Sequence, residues 1–370
     1  MSGQAPKIFQ NAVIMAGIFG GIFLNSCSEN SAPKSTSLSS DLGGFNLSTN
    51  AFQICNTKES EKETFLKFFS EGGYSIHGDP EIETLSAFFE ELREGYSHET
   101  VDLDYSLIKR EYHTLTHAMD VMISTHALFA GGAGSFFKTD EKAVILLSAL
   151  GHDVLHTGVN NGFLAKINHP LIEEFGESGA QEKRSAKFME ELCRKYGILD
   201  KSDHKTFNQL SNMLRQSILW TDFSRHQELM TQVEKLISKL ETPTIAELKE
   251  GINPSSILNS DERILLGSFI LHCADVSNPG KDWAVCERWA NLVMNEFFAQ
   301  GDLEKSLEMK PSMNCDRETV SIAKCQIGFG QFVVKDLFKL LEKVSPEGGR
   351  ILSKNLQNNQ NNWKAILEKN

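Results

Sequence analysis

The chain has 370 residues, 40% of them hydrophobic, which is enough apolar material for one large core or two ordinary ones. Its formal net charge of -12 repels polyanions at long range, so the composition argues against a nucleic-acid partner, and an anionic substrate would need a local attractor such as a metal ion. Seven cysteines without a CxxC pair fit a disulfide framework poorly and indicate a reducing compartment for the folded part.

The first segment of the chain is apolar. Residues 8–24 read IFQNAVIMAGIFGGIFL, on the short side of the roughly 17 to 25 residues that span a bilayer. Only Lys7 precedes them, so neither a basic signal start nor an orientation is defined. Residues 24–27 resemble a loose lipobox ending at Cys27. We expect residues 1–27 to be a hydrophobic anchor or signal, with the rest of the membrane-associated protein facing the cytoplasm; a frayed leader on a cytosolic protein is the alternative.

A polar segment follows the apolar one, from residue 28 to residue 57. It is rich in Ser, Thr, Asn and Gly, and its few large apolar residues bury too little surface to offset the entropy lost on ordering. We therefore expect a flexible polar tether over residues 28–57. The folded domain is expected to extend over residues 58–370.

Beyond the tether, the spacing of apolar residues is helical almost throughout. Large apolar residues recur at steps of three and four between 65 and 92, and residues 143–150 are apolar nearly all round, as expected of a central helix. Gly301 is expected to end a helix, and the Asn- and Gln-rich residues 357–362 are expected to form a loop. No alternating strand pattern is evident. The sequence therefore predicts an all-α fold, a compact multi-helix domain.

Four side chains that can bind metal ions interrupt these apolar stretches. His117 lies in YHTLTHAMDV, His152 and Asp153 lie in LLSALGHDVLH, and Asp275 lies in ILHCADVSNP. Burying an unpaired carboxylate costs several kcal/mol, whereas a metal ion compensates a mixed set of imidazoles and carboxylates. A lone HxxxH or His-Asp pair is more often structural, but the four residues together predict a buried metal site.

The ligand chemistry of this set favours two ions. Imidazoles suit zinc, while carboxylates with open water positions suit magnesium or manganese. Asp153 has two oxygens and could bridge ions about 3.5 to 4 Å apart, which would hold a hydroxide and clamp a phosphoryl group. His113 lies four residues before His117 on an expected helix and would then protonate the departing oxygen. Its alternative role is to support the metal ligands without binding the ion or the substrate.

Six strings follow one another in an order that is itself specific. They are YHTLTHAMDV (112–121), HDVLHTGVNNGFL (152–164), TDFSRH (221–226), HCADVSNP (272–279), EFFAQGDLE (296–304) and CDRETVSIAKCQIGF (315–329). From about residue 60 to its end, the chain resembles the catalytic domain of the class I cyclic-nucleotide phosphodiesterases, which is of the HD type. The resemblance implies hydrolysis of cAMP, cGMP or both to the 5′-monophosphate through a metal-bridging hydroxide.

The resemblance also implies roles for single residues. The expected ligands of a zinc ion are His117, His152, Asp153 and Asp275. Asp153 would bridge to magnesium, and His113 would protonate the leaving 3′ oxygen. The residues expected to support the phosphate and the metal-bound waters are His156, Glu182, Thr221 and Asp222. The residues expected to line the purine pocket are Gln326, Phe329, Asn278 and Val293.

The spacing of two of these pocket residues agrees with their implied roles. Gln326 and Phe329 are three apart on an expected helix, so an amide and an aromatic ring would share one face. A glutamine amide both donates and accepts, so it leaves the choice between adenine and guanine open.

Three positions depart from the family pattern, and the last of them motivates a sensor as an alternative function. Leu155 stands at the second acidic position of an HDxDH motif, and Thr114 stands where asparagine is usual. QEKRS stands at 181–185 where the family has an LENHH-like string, so this chain retains the glutamate, as Glu182, but lacks the two histidines. The alternatives are a cyclic-nucleotide sensor with little turnover and a broader HD-type nucleotide phosphohydrolase. The sequence predicts no oligomeric state.

Overall fold

The computed structural model describes residues 42–71, 74, 80–97, 108–199, 204–241 and 256–369. Within these ranges every regular element is helical, which confirms the predicted all-α class. The α-helices of the described ranges are α1 (Ala51–Ile54), α2 (Lys58–Leu66), α3 (Ile82–Gly95), α4 (Leu115–Ala130), α5 (Thr139–Gly151), α6 (Asn161–Lys166), α7 (Pro170–Phe175), α8 (Ala180–Lys195), α9 (His204–Leu219), α10 (His226–Glu241), α11 (Ser260–Asp275), α12 (Trp283–Ser306), α13 (Ile322–Phe329), α14 (Lys335–Leu341) and α15 (Pro346–Lys369).

Four helices form the centre of the domain. Helices α5 and α11 pack against each other and against both α4 and α9, and residues 143–151 of α5 are all buried, as the sequence predicted for a central helix. The start of α11 is set locally, because Asn259 accepts from the Glu262 N–H while the Glu262 side chain accepts from the Asn259 N–H. The centre therefore consists of buried helices, and the exposed start of α11 is fixed by its own capping residues.

Two predicted helix interruptions are wrong. Helix α12 runs through Gly301, because a Cβ there would lie 1.8 Å from the Cys315 carbonyl oxygen; the glycine permits a close backbone approach and does not end the helix. Helix α15 runs through residues 357–362. There the buried Asn359 amide donates to the carbonyls of Pro279 and Lys281, both at 2.8 Å, so this polar side chain points inward.

The second part of the predicted tether packs onto the domain. Leu42 and Leu47 are buried in the main hydrophobic cluster, and the Phe52 ring lies 4.3 Å from the Trp289 ring, centroid to centroid. A flexible tether is therefore wrong for residues 42–57, because a few well-spaced apolar side chains find a ready core there. The rest of the tether and the predicted anchor, residues 1–41, lie outside the described residues. Among the described helices, none is both long and apolar enough to cross a membrane.

Candidate active site

The four predicted metal ligands converge at the inner ends of three central helices. His117 lies in the first turn of α4, His152 and Asp153 follow the last residue of α5, and Asp275 ends α11. His117 Nε2 lies 3.0 Å from Asp275 Oδ1 and 3.5 Å from Asp153 Oδ2. His152 Nε2 lies 3.0 Å from Asp153 Oδ2 and 3.4 Å from Asp275 Oδ1. Three segments, the outer two of them 158 residues apart, thus place two imidazoles against two carboxylates.

The protonation of His152 shows that this donor set suits a cation. Its Nδ1 lies 2.8 Å from the Ala149 carbonyl oxygen and must donate to it, so the Nε2 of a neutral ring presents a lone pair to Asp153 and Asp275. Burial lowers the pKa of His152, but the two carboxylates outweigh burial and raise it well above its usual value. A divalent ion bound by these nitrogen and oxygen atoms would take the place of the proton on His152 Nε2. The imidazoles and carboxylates present fit such an ion.

His113 lies outside the helix on which it was predicted. Helix α4 begins at Leu115, and Thr114 before it is extended with φ -122° and ψ 169°, so His113 belongs to the preceding segment. The i, i+4 argument for His113 and His117 is therefore wrong, although their ring centroids lie only 6.3 Å apart. The His113 ring instead stacks on His156, with centroids 3.8 Å apart and planes inclined by 22°.

Glu296 on α12 is the partner of His113, and the sequence reading did not assign it a role. One carboxylate oxygen contacts His113 Nδ1, and the other accepts from the backbone N–H groups of Glu111 and Tyr112 at 3.0 and 2.9 Å. Burial raises the pKa of Glu296, but His113, together with His156 and the Tyr112 N–H, lowers it more, to about 2. Burial conversely lowers the pKa of His113, while Glu296 and Asp153 raise it, to about 9. The pair is therefore ionised.

The position of Glu296 in the sequence carried a signal for this role. It stands seven residues after Trp289 and three after Val293, on the same helix face. A glutamate that is 1% exposed on such an apolar face needs a cationic partner.

His156 is a neutral histidine beside this pair. Its Nδ1 accepts from the Gly158 N–H at 3.0 Å, so the ring proton sits on Nε2. Burial and the positive charge of His113 lower the pKa of His156 to about 3. The stacked rings thus differ in charge, and both line the same cavity.

This cavity, of about 360 Å³, is the metal-side cavity; Asp153 and Asp275 form part of its wall. Three predicted supporting residues also line it: Glu182, Thr221 and Asp222. The Asn161 amide donates to Glu182 at 2.9 Å, and Asp222 accepts from the Ser224 N–H at 2.9 Å. Burial and the nearby Asp222 raise the pKa of Glu182 to about 7. Acidic oxygens therefore face the ligand cluster across the cavity.

A second cavity, of about 150 Å³, brings together all four predicted purine-pocket residues, and we call it the base cavity. Its wall includes Gln326, Phe329, Asn278 and Val293. The side chains common to the walls of both cavities are Tyr112, Val276 and Phe297. The two cavities are therefore neighbours that share one partition.

The two amides of the base cavity differ in freedom. Asn278 Nδ2 donates to the buried Asp120 carboxylate at 3.2 Å, so its Oδ1 accepts from the Tyr112 hydroxyl at 2.7 Å. Lys281 is buried and pairs with the same carboxylate at 3.2 Å, which fixes the arrangement. No described residue forms a hydrogen bond with the side-chain amide of Gln326, whose backbone carbonyl accepts from Gln360. Gln326 therefore keeps both faces of its amide for a ligand.

Comparison with known proteins connects this geometry to one protein family. Residues 112–355 match the family described as 3′5′-cyclic nucleotide phosphodiesterase. The chain is 32% identical over 254 residues to the dual specificity calcium/calmodulin-dependent 3′,5′-cyclic nucleotide phosphodiesterase 1 of Drosophila melanogaster, covering 68% of this chain and 27% of that protein. It is 32% identical over 238 residues to the probable 3′,5′-cyclic phosphodiesterase pde-1 of Caenorhabditis elegans, covering 64% and 33%. The chain thus matches about a third or less of these curated relatives.

Solved structures show the same fold. The phosphodiesterase domain of the RhoPDE fusion protein from the choanoflagellate Salpingoeca rosetta superposes with a TM-score of 0.76 at 24% identity, covering 90% of this chain and 97% of that domain. LmjPDEB1, solved in complex with IBMX, superposes with a TM-score of 0.75 at 22% identity, covering 100% of both chains. At these identities the likeness concerns the arrangement of helices.

Proposed function

Because the chain belongs to the 3′,5′-cyclic nucleotide phosphodiesterase family, as the resemblance of its motifs indicated, we propose that it hydrolyses cAMP, cGMP or both to the 5′-monophosphate. One observation carries the proposal: the metal-side cavity and the base cavity share Tyr112, Val276 and Phe297. One end offers groups for a phosphoryl ring, and the other offers an amide and an aromatic ring for a base. Together the cavities have a volume usual for small-ligand sites.

We infer that two divalent ions complete the site, zinc together with magnesium or manganese. The first ion would be held by His117, His152, Asp153 and Asp275. Because Asp153 has a second carboxylate oxygen, it could also bind the second ion. When bound, such ions polarise phosphoryl oxygens and acidify water for nucleophilic attack.

The histidines of this chain supply proton transfer and hydrogen bonding. His113 is held protonated by Glu296 through Nδ1, which leaves its Nε2 proton for the departing 3′ oxygen. His156 stays neutral, and its Nε2 proton can be donated to a phosphate oxygen. The geometry thus separates a general acid from a neutral donor within one stacked pair.

The base cavity would hold the purine. Phe329 offers a stacking surface, and the unpaired Gln326 amide can turn to match the donor and acceptor edges of adenine or guanine. Asn278 cannot turn in this way, because Asp120 accepts only from its nitrogen. We therefore propose that a purine cyclic nucleotide is the substrate class.

Turnover of both cyclic nucleotides by wild type and Asp275→Ala, with and without a chelator, tests substrate and metal together. We expect the variant and the chelated wild type to lose at least about 100-fold in kcat/KM, because a direct ligand is removed. Asp261→Ala, in the exposed first turn of the same helix, is the matched control and should keep full activity.

Three outcomes of that assay would contradict the proposal. An unaffected Asp275→Ala enzyme would show that the ligand assignment is wrong. Wild type that binds cyclic nucleotides but releases no monophosphate would favour the sensor. Equal hydrolysis of linear nucleotides would favour the broader phosphohydrolase.

We also propose that residues 8–24 attach the protein to a membrane, with the domain facing the cytoplasm. The length and apolar character of the segment support attachment. The six cysteines of the described residues are all free, which supports a reducing compartment. Membrane fractionation of full-length protein and of a variant lacking residues 2–27 tests this: only the full-length protein should resist a high-salt wash. Equal recovery of both in the soluble fraction would contradict attachment.

A further inference from the structure

The short turn that carries Asp153 and His156 contains a strained residue. Leu155 has φ +64°, in the left-handed region that residues with a Cβ rarely adopt. Its N–H donates to the Gly95 carbonyl at 3.2 Å, and its own carbonyl accepts from Arg184 Nη1 at 2.9 Å. Such a conformation persists only where surrounding contacts hold it.

The first turns of α8 supply most of these contacts. Gln181 Oε1 accepts from the Thr157 N–H at 2.9 Å, and its Nε2 donates to the Val159 carbonyl at 2.8 Å. Ser185 Oγ donates to the Val154 carbonyl at 2.8 Å. Residues 181, 184 and 185 are three and four apart, so one face of α8 binds the backbone of residues 154–159.

We propose that Arg184, with Gln181 and Ser185, is a positioning residue that holds the turn at Leu155 and thereby directs Asp153 and His156 into the metal-side cavity. The inference rests on the proposed function for its catalytic meaning. Arg184 is not among the residues that line the cavity, so it acts through the backbone and not on the substrate.

This role explains two departures from the family pattern together. Leu155 has no side-chain acceptor to anchor the turn, and QEKRS provides an amide, a guanidinium and a hydroxyl that anchor its backbone instead. Because Arg184 is cationic, its bond to the Leu155 carbonyl is stronger than a neutral one. The altered segment therefore supports the turn in this chain.

Amide hydrogen exchange across residues 152–160, measured with a chelator present, tests the support without requiring activity. In Arg184→Met we expect exchange of the Leu155 and Thr157 amides to be about tenfold faster, because a charge-assisted hydrogen bond is lost. Arg184→Lys retains a cationic donor and should fall between wild type and Arg184→Met. Arg194→Met, an exposed position on the same helix, is the matched control and should match wild type.

Steady-state kinetics with the better of the two cyclic nucleotides supply the second readout. In Arg184→Met, kcat should fall about tenfold while KM stays within about twofold, because the base cavity involves other elements. Leu155→Gly removes the strain, since glycine adopts this conformation freely. The loss caused by Arg184→Met should therefore shrink at least about threefold in the Leu155→Gly background.

Two results would overturn the inference. One is unchanged exchange and unchanged kcat in Arg184→Met; the other is a loss of the same size in both Leu155 backgrounds. If Arg184→Met does not fold, Arg184→Lys decides, and wild-type exchange and kcat in that variant would count against the support. If wild type hydrolyses neither nucleotide, the proposed function fails while the exchange measurement still decides the role of Arg184.

Discussion

At the residue scale, the charge on His113 depends on one buried carboxylate. His113 and Glu296 are 183 residues apart, and Glu296 also accepts from the backbone of the segment that carries His113. The same carboxylate thus sets both the position and the protonation of the ring. The positive charge of His113 in turn keeps His156 neutral, so one contact assigns different states to two histidines.

Glu296→Gln should therefore move the pH dependence of the reaction. The pKa of His113 is raised, to about 9, so the protonated acid is present below that pH and is lost as the pH rises through it. Cations held at the predicted ligand cluster would repel the proton and would lower this limit equally in wild type and variant. Without the carboxylate the pKa falls, so the alkaline limb of kcat should lie at lower pH in the variant, with about 10- to 100-fold less activity at pH 8.

Glu287→Gln, on the same helix but outside both cavity walls, is the control for that pH profile and should keep the wild-type limb. Superimposable alkaline limbs for Glu296→Gln and wild type would show that His113 is not the acid.

At the element scale, α12 contributes side chains to the walls of both cavities. Trp289 and Val293 face the base cavity, and Glu296 and Gln300 face the metal-side cavity; their spacing places all four on one helix face. The helix reaches Gln300 and continues to Ser306. Gly301 lets the backbone at Cys315 cross close to that continuation.

Gly301→Ala should destabilise the protein because its methyl group would overlap the Cys315 carbonyl. We expect a net loss of about 1 to 3 kcal/mol in the free energy of unfolding, measured by chemical denaturation. Gly328→Ala is the matched control, since no atom lies within 4 Å of its Cβ position. There, helix propensity alone should stabilise by up to about 1 kcal/mol. Equal stabilisation by both substitutions would contradict the close approach.

At the scale of the whole molecule, residues 42–57 follow the predicted anchor in sequence and pack behind the base cavity. The Phe52 ring packs on Trp289, and the Arg288 guanidinium lies 3.7 Å from the centre of the Phe52 ring. Trp289 lines the base cavity, and its ring centroid is 5.6 Å from that of His117. The segment therefore forms an outer layer behind both the base cavity and His117, a predicted metal ligand.

Two truncations test this layer. Deleting residues 2–41 should leave the unfolding midpoint and KM near wild type. Deleting residues 2–57 should cost at least about 3 kcal/mol of stability and raise KM severalfold, because it removes Leu42 and Leu47 from the core and uncovers Trp289. Phe52→Ala in the full chain should shift both quantities in the same direction by less. Truncations that are indistinguishable in stability and KM would contradict the layer.

The sequence by itself determined the helical class and most of the residues that meet at the site. Apolar spacing at three and four residues is a local signal, so it survives without knowledge of the fold. His117, His152, Asp153 and Asp275 were identifiable because their chemistry conflicts with the apolar stretches around them. Their distances to one another were not, because these depend on how α4, α5 and α11 pack.

Only the tertiary structure decided which residue pairs with His113, that residues 42–57 pack on the domain, and why a glycine is required at position 301. Each depends on a contact between chain segments distant in sequence: Glu296 with His113, Phe52 with Trp289, and residue 301 with Cys315. Asn359 illustrates the reason. The Asn- and Gln-rich segment around it suggests a loop, whereas its amide donates to the buried Pro279 carbonyl, 80 residues away in sequence. Composition and periodicity describe a residue and its neighbours in sequence, whereas burial and pairing are properties of neighbours in space.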